Sequence, residues 1–250
     1  MRPMKSKVSF ENYVKNFLCY NKKTFHIDRR LGSKKAVWDE EKNLGGMYRK
    51  PMTPEAQRYA WVFSQVKQSF SRYIKKNPKF KVFKPVSSTK KDRARYDKLR
   101  KGQRFLATDG SHFYWRMAYH LGYISEKLYT KLCDPEFKLI RNKALACLAS
   151  ATLRDRYVNG EYVDTINIGD PQLSQLYKNV RYKSYSIMHG CMVACKKDFL
   201  KYKVDCIYYM PIKRKLMESI FIANNMLFST QECIVLDKKY FIEGKDIKKF

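Results

Sequence analysis

The sequence predicts an α+β fold, with an antiparallel sheet that carries its helices on one face. Two apolar segments that each contain one acid, Gln103 to Asp109 and Tyr202 to Tyr209, have the composition of short strands. Helical and turn-separated β patterns then give the order strand, helices, hairpin, long helix, strand, helix, hairpin from residue 103 onward. This mixture of helical runs and antiparallel pairs is typical of α+β architecture.

The composition is that of a globular protein with a strong excess of positive charge. Among 250 residues, 52 lysines and arginines stand against 23 aspartates and glutamates, a formal net charge of +29. This excess predicts a phosphate-rich partner, with DNA first and an anionic membrane as the alternative. Because no stretch is long and apolar enough for a membrane span or signal peptide, we expect a cytoplasmic protein without a membrane partner. The seven irregularly spaced cysteines predict reduced, buried thiols.

Residues 1–102 are predicted to form a basic, mainly helical region. A helix is expected around Phe10 to Tyr20, and a turn at Gly45-Gly46. Thr53 followed by Pro54 is a strong helix start, because it combines a hydroxyl N-cap with proline at the first position. Apolar residues at spacings of three and four extend this helix to about Lys76.

The most basic segment is residues 79–104, directly before the first acid-bearing strand. Its alternation of lysine and apolar residues predicts an exposed strand first, and then a basic helix or linker. The alternative is a solvated charge run with no partner. We predict contact with a nucleic-acid backbone by Lys90, Lys91, Arg93, Arg95, Lys98, Arg100 and Lys101.

Residues 103–250 are predicted to form the second domain. Its helices and hairpins follow from caps, breaks and turn residues. The expected elements are a helix to Leu121, helices Ser125–Leu132 and Asp134–Leu153, a hairpin turning at Asn159-Gly160, a long helix from Asp170 to about Leu200, a helix Pro211–Asn224 and a hairpin from Glu232 to Ile242.

The two strand acids are the candidate catalytic residues. Asp109 comes at the end of the first strand, and Asp205 is predicted in the middle of the second, between Val204 and Ile207. If the strands are neighbours, the two carboxylates can bind a pair of magnesium ions for phosphoryl transfer. The alternative is that each is an ordinary acid at a strand end or turn. No histidine, cysteine or glycine-rich motif competes with this pair.

Three segments resemble the conserved motifs of family B DNA polymerases. The segment Asp109-Gly-Ser-His-Phe-Tyr114-Trp resembles motif A, an aspartate followed at the fifth position by a tyrosine. Its tryptophan, in place of the usual proline, resembles shortened phage-encoded relatives. The segment from Lys143 resembles motif B, which has a lysine and, four residues later, an asparagine. The segment Tyr202-Lys-Val-Asp205-Cys-Ile resembles motif C.

This resemblance covers residues 103–243 and implies a reduced polymerase palm. It implies that Asp109 and Asp205 bind two magnesium ions, that Tyr114 excludes ribonucleotides, and that Lys143 and Arg141 lie beside the incoming deoxynucleoside triphosphate. A lysine suits such a site as a point charge for phosphate.

The sequence departs from the family pattern at three positions. Lys203 stands where motif C has its first acid, His112 replaces the serine of motif A, and Cys147 replaces the asparagine of motif B. The segment after Asp205 is short for a thumb, so a second replication subunit is an expected partner.

We therefore expect DNA-templated nucleotidyl transfer by a minimal, phage-encoded palm that acts in the host cytoplasm. Two alternatives remain open at this point. One is a non-catalytic DNA-binding protein on a degenerate palm, serving phage replication or packaging. The other is a metal-dependent nuclease that uses the same two acids.

Overall fold

The computed structural model describes residues 3–4, 25–29, 34–39, 44–49, 53–86, 99–149, 153–158, 161–167 and 169–249. By its internal contacts the chain divides into two compact units. The first unit comprises residues 1–68 and 143–175, and the second comprises residues 69–142 and 176–250. The predicted domain boundary at residues 102 and 103 therefore lies inside the second unit and does not separate the two.

Six helices and twelve strands are described. The helices are α1 (Pro54–Lys76), α2 (Phe113–His120), α3 (Glu126–Lys131), α4 (Lys138–Cys147), α5 (Pro171–Cys195) and α6 (Arg214–Ala223). The strands are β1 (Pro3–Met4), β2 (Phe25–Arg29), β3 (Lys34–Asp39), β4 (Leu44–Arg49), β5 (Arg104–Ser111), β6 (Leu153–Val158), β7 (Glu161–Asn167), β8 (Phe199–Lys203), β9 (Cys206–Tyr209), β10 (Leu227–Val235), β11 (Tyr240–Glu243) and β12 (Asp246–Lys249).

The first unit contains a six-stranded sheet in the order β1-β4-β3-β2-β6-β7. The sequence did not predict β2, β3 and β4, which form an antiparallel meander within the N-terminal region. Gly45 and Gly46 lie within β4, paired with Trp38 and Val37, and do not form the predicted turn. The helix predicted around Phe10 to Tyr20 lies outside the described residues.

The hairpin predicted around Asn159-Gly160 is present as the antiparallel pair β6 and β7. Its two turn residues lie outside the described residues. Strand β6 also pairs with β2, so this hairpin belongs to the sheet of the N-terminal strands. It was expected within the same domain as the two acids, and in the structure it belongs to the other unit.

The second unit contains a curled, fully antiparallel sheet in the order β12-β11-β10-β5-β9-β8. Strand β5 is central, with β10 on one side and β9 on the other. Thr108, which is fully buried on β5, bonds through Oγ1 to Tyr209 Oη at 2.8 Å and to Thr230 Oγ1 at 2.9 Å. These side-chain hydrogen bonds link the three central strands in addition to the backbone hydrogen bonds between them.

The two faces of this sheet are covered differently. On the face that includes Phe228, the ring of Phe221 from α6 packs at 5.4 Å between centroids and also meets Phe113 from α2 at 6.2 Å. On the opposite face, Phe241 of β11 packs on Phe105 at 5.2 Å and Tyr208 at 5.8 Å. Helices therefore cover one face of the sheet. The other face is covered by side chains of the sheet's own strands, which pack on one another because the sheet is curled.

Helix starts follow the predicted capping chemistry. The Thr53 hydroxyl accepts the Ala56 N–H at 3.2 Å, and α1 ends at Lys76 as predicted. The Asp170 carboxylate accepts the N–H groups of Gln172 and Leu173, so the long helix α5 begins as predicted. It ends at Cys195, before the predicted Leu200, because Lys196 takes a left-handed φ of 53°.

No helix among the described residues is long and apolar enough to cross a membrane. Of the six described cysteines, all free thiols, Cys191, Cys195, Cys206 and Cys233 are buried as predicted, whereas Cys133 and Cys147 are half-buried.

Candidate active site

Asp109 lies on the central strand of the second unit. In the register of the sheet it is paired with Cys206 of β9 and with Ser229 of β10. The strand ends two residues later, and α2 begins at Phe113. Asp109 is thus the acid at the end of the strand that the sequence predicted.

Asp205 lies next to Asp109 across the sheet, but in a turn and not in a strand. Val204 and Asp205 form the two-residue connection between β8 and β9, so the prediction of one continuous strand is wrong. The Gly110 N–H donates to the carbonyl oxygen of Asp205 at 2.8 Å, which fixes this turn against the end of β5. The predicted neighbourhood of the two acids is confirmed, with a hairpin turn as its basis.

The turn that carries Asp205 is strained. Val204 has a φ of 59°, in the left-handed region where a β-branched residue is rare. Strain of this kind persists only where surrounding contacts impose it, and it is concentrated at functional sites. Its location next to Asp205 therefore adds to the reasons for treating this turn as a site.

Burial raises the proton affinity of both carboxylates, and Asp205 adds to this effect at Asp109. Burial, and then the negative charge of Asp205, raise the pKa of Asp109 to about 6. Burial also raises the pKa of Asp205. Like charges held together in a partly desolvated place produce this effect, and a bound cation relieves it. The arrangement is that of an acidic pair able to bind positive charge.

Lys138, the first residue of α4, is the lysine whose charge reaches both acids. It lowers the pKa of Asp109 and of Asp205 against the effect of burial. Sequence reasoning assigned the triphosphate lysine to Lys143 instead. Five residues along a helix amount to about 140° of rotation, so Lys143 lies on a different face of α4 from Lys138.

A signal for Lys138 was present in the sequence. Motif B has a lysine followed four residues later by an asparagine, and Lys138 and Asn142 have this spacing. Lys143 and Cys147 lack the asparagine. Both Lys138 and Asn142 are exposed, and residues four apart share a helix face. Lys138 and Asn142 therefore have the lysine–asparagine spacing that the resemblance to motif B implies, which Lys143 and Cys147 lack.

Tyr114 lies in the first turn of α2, close to the acids. Its phenol is hydrogen-bonded to Tyr185 of α5, and burial, this bond and the charge of Asp205 all raise its pKa. Arg181 Nη2 donates to Tyr185 Oη at 3.1 Å, and the guanidinium lies 5.4 Å from the Tyr185 ring. These hydrogen bonds from Arg181 to Tyr185 and between Tyr185 and Tyr114 restrain Tyr114, the predicted steric gate, against α5.

Arg141, predicted to contact the nucleotide, is instead buried, with only 1% of its surface exposed. Its Nη1 donates to the carbonyl of Asp134 at 3.2 Å, and its Nη2 donates to Nδ1 of His112. Because arginine only donates, His112 must be neutral with its proton on Nε2. Burial and then Arg141 lower the pKa of His112, which favours this state. Arg141 therefore positions His112 and has no surface for direct contact with a nucleotide.

Gly110 allows the sharp passage from β5 to α2. A Cβ at this position would lie 2.4 Å from Cδ2 of Phe113, closer than real contacts permit. Phe113 is buried and packs on Phe221. A side chain at residue 110 would therefore displace the ring that anchors the start of α2.

The predicted nucleic-acid contacts are only partly within the described residues. Arg100 and Lys101 are exposed in the turn that leads into β5. The others, Lys90, Lys91, Arg93, Arg95 and Lys98, lie outside the described residues.

The acidic pair fits the donor chemistry of magnesium. Within the described ranges, no group of three or more histidine, cysteine, aspartate or glutamate side chains has a metal-binding arrangement. Magnesium, however, is commonly bound by one or two carboxylates together with substrate phosphates and water. Asp109 and Asp205 supply such a pair, while Lys138 adds a positive charge for phosphate.

The sequence matches no protein-family model and no curated protein.

Proposed function

We propose that this chain is a DNA-templated nucleotidyltransferase, a minimal family-B-like polymerase palm of phage type. The observation that carries the proposal is the turn of Asp205, which is bonded to the end of the strand that bears Asp109. The two acids come from distant parts of the sequence and meet where the central strand β5 ends beside the β8–β9 turn. This is the arrangement expected if the segments that resemble motifs A and C are the corresponding parts of a palm.

Each residue has a role that follows from its place. Asp109 and Asp205 would hold two magnesium ions, which supply charge for the phosphates and activate the primer hydroxyl. Lys138, acting on both acids, places a cation where the triphosphate of a deoxynucleotide would lie. Tyr114, restrained by Tyr185, presents a flat ring beside the same acids and would exclude a 2′-hydroxyl.

Primer extension tests this function. The purified chain should extend a primed DNA template with deoxynucleotides and magnesium. Asp109→Asn and Asp205→Asn should each abolish extension, because each removes a metal ligand and its charge. Asp246→Asn, which removes an exposed acid on β12, is the matched control and should remain active. Extension that survives in both active-site variants would contradict the proposal.

A second candidate is a DNA-binding protein without turnover, acting in phage replication or packaging. The observation that favours it is the combination of a net charge of +29 with the absence, among the described residues, of a group of three or more potential metal ligands. In this case the wild-type chain binds DNA, and neither aspartate variant changes the binding or any product. Magnesium-dependent shortening of DNA, lost in Asp109→Asn, would instead identify a nuclease.

A further inference from the structure

A basic segment in the second unit, residues 78–86, begins with a turn at residues 78 and 79 and continues without belonging to a helix or a sheet. We call it the basic strap. Lys79, Lys81 and Lys84 are exposed along it, while Phe80 and Phe83 are half-buried. The sequence predicted an exposed strand in this place. Among the described residues, the structure has no strand in this place and no strand paired with it.

The side chain of Asn179 on α5 forms the hydrogen bonds that a neighbouring strand would form with the strap. Its side chain is fully buried, and Oδ1 accepts the Phe83 N–H at 3.0 Å. Its Nδ2 donates to the Lys81 carbonyl at 2.7 Å and to the Tyr123 hydroxyl at 3.0 Å. One buried amide therefore satisfies the backbone on both sides of Val82, the bonds that a paired strand would otherwise supply.

The strap gathers positive charge without neutralising it. Residues 71–86 contain no aspartate or glutamate. In the described part of the chain no ion pair involves Lys79, Lys81 or Lys84. Lys81 Nζ lies 5.5 Å from the Phe83 ring, a contact that leaves its charge available. Like charges held together cost stability, so this arrangement is explained by an anionic partner.

The sequence spacing separates these charges. Lys79, Lys81 and Lys84 are two and three residues apart, so they present cations at separate points along the segment. A nucleic-acid strand presents phosphates along a line, and lysines contact them as point charges.

We propose that the basic strap is an interaction surface for the phosphate backbone of nucleic acid, and that Asn179 is the residue that positions it. The choice of DNA as the nucleic acid rests on the proposed function. The surface itself rests on Asn179 and on the three lysines, which have no ion-pair partner among the described residues. Recognition would be independent of base sequence, because the contacts are to phosphate.

The test compares two triple variants that remove the same charge. Lys79→Gln, Lys81→Gln and Lys84→Gln together alter the strap. Lys238→Gln, Lys239→Gln and Lys245→Gln together alter exposed lysines in the loops that flank β11. Duplex DNA binding is measured by fluorescence anisotropy over a range of salt concentrations. Each phosphate contact contributes about 0.9 to the slope of log affinity against log salt.

We expect the strap variant to bind more weakly and its slope to fall by about 2 to 3, from the loss of two or three contacts. The loop variant should keep nearly the wild-type slope. Equal losses in both variants would show that only overall charge matters, and no loss in the strap variant would show a solvated face. Either result overturns the proposal.

Asn179→Ala keeps all three charges and tests the positioning role. It should weaken DNA binding at a net charge equal to that of the wild type, and a thermal unfolding profile checks that the chain remains folded. If this variant does not fold, the strap variant still decides the proposal. Retained affinity in folded Asn179→Ala would remove Asn179 from the proposal.

Two further measurements separate this proposal from the proposed function and from a membrane role. Primer extension by the wild-type chain is measured in parallel with DNA binding. A wild-type chain that does not extend primers would contradict the polymerase function while leaving the binding comparison intact. Vesicles of phosphatidylserine and phosphatidylcholine serve as the other polyanion. If the strap variant loses binding to vesicles but not to DNA, the strap is not a surface for nucleic acid and the proposal is wrong.

Discussion

At the scale of the residue, Asp109 shows the conflict between function and stability. Its carboxylate is held beside Asp205 in a partly buried place, and its pKa is raised to about 6. The folded chain therefore binds this proton more tightly than the unfolded chain does. Stability is favoured while Asp109 is protonated and falls as the pH rises from about 4 through 6.

Replacement of Asp109 by asparagine should remove this pH-dependent loss. We expect Asp109→Asn to unfold at a higher temperature than the wild type at pH 7 without divalent cations, and the difference to vanish near pH 4. Thermal unfolding of both chains across this range measures it, with Asp246→Asn as the control. An Asp109→Asn chain that is less stable than the wild type at pH 7 would show that the carboxylate is not under repulsion.

Residue identity also decided what the sequence could predict. The caps at Thr53 and Asp170 were predicted because hydroxyl and carboxylate side chains signal helix starts locally. The turn at Asp205 gave no such signal. Its first residue is Val204, which has a positive φ although valine favours strands. A glycine or asparagine at this position would have predicted a turn from the sequence. The apolar run around it therefore predicted one strand where the chain forms two.

At the scale of the element, the face of α4 decides which lysine serves the site. Lys138 acts on both acids, while Lys143 lies about 140° further around the helix. We expect Lys138→Gln to raise the KM for deoxynucleotides about tenfold or more, which corresponds to the loss of about 1.4 kcal/mol of charge-assisted binding. Lys143→Gln should leave KM almost unchanged.

Steady-state kinetics of both variants on the same primed template make this comparison. The two substitutions remove equal charge from exposed positions of one helix, so each controls for the other. A larger effect at Lys143 would restore the original motif B assignment. Equal effects would indicate that α4 contributes overall charge and not a specific contact.

Pairing between elements was the least predictable part of the fold. The patterns for β6 and β7 identified their hairpin, because a hairpin is encoded within a few residues. Nothing local shows that β6 pairs with β2, more than a hundred residues earlier in the chain. The hairpin was therefore predicted in the wrong sheet, and the strands of the first unit were missed. Long-range pairing depends on the burial of whole faces, which short windows do not contain.

At the scale of the whole molecule, the chain builds the candidate site from distant segments within the second unit. Strand β5, the β8–β9 turn, helix α2 and the first residue of α4 contribute Asp109, Asp205, Tyr114 and Lys138. The chain enters the first unit within α4, at residue 143, and returns to the second unit within α5, after residue 175. A site assembled in this way depends on the folded unit, and a ligand of the site should stabilise that unit.

Magnesium should therefore raise the unfolding temperature of the wild-type chain without any nucleotide or DNA. An ion that binds only the folded state stabilises it by RT ln(1 + [L]/Kd), about 1.4 kcal/mol at ten times Kd. The physical source is that the ion neutralises a carboxylate whose charged form is disfavoured by burial and then by the charge of Asp205, the two effects that raise the pKa of Asp109. The gain should be larger at pH 7 than near pH 4, where protons replace the metal.

Calorimetric scans with increasing magnesium chloride measure this shift, with sodium chloride at equal ionic strength as the control for screening. Asp205→Asn should lose most of the shift, and Asp246→Asn should keep it. Because the measurement needs no turnover, it separates the metal-dependent functions from DNA binding alone. A wild-type chain that responds equally to the two salts would contradict both nucleotidyl transfer and nuclease activity at this site, and would favour the DNA-binding protein.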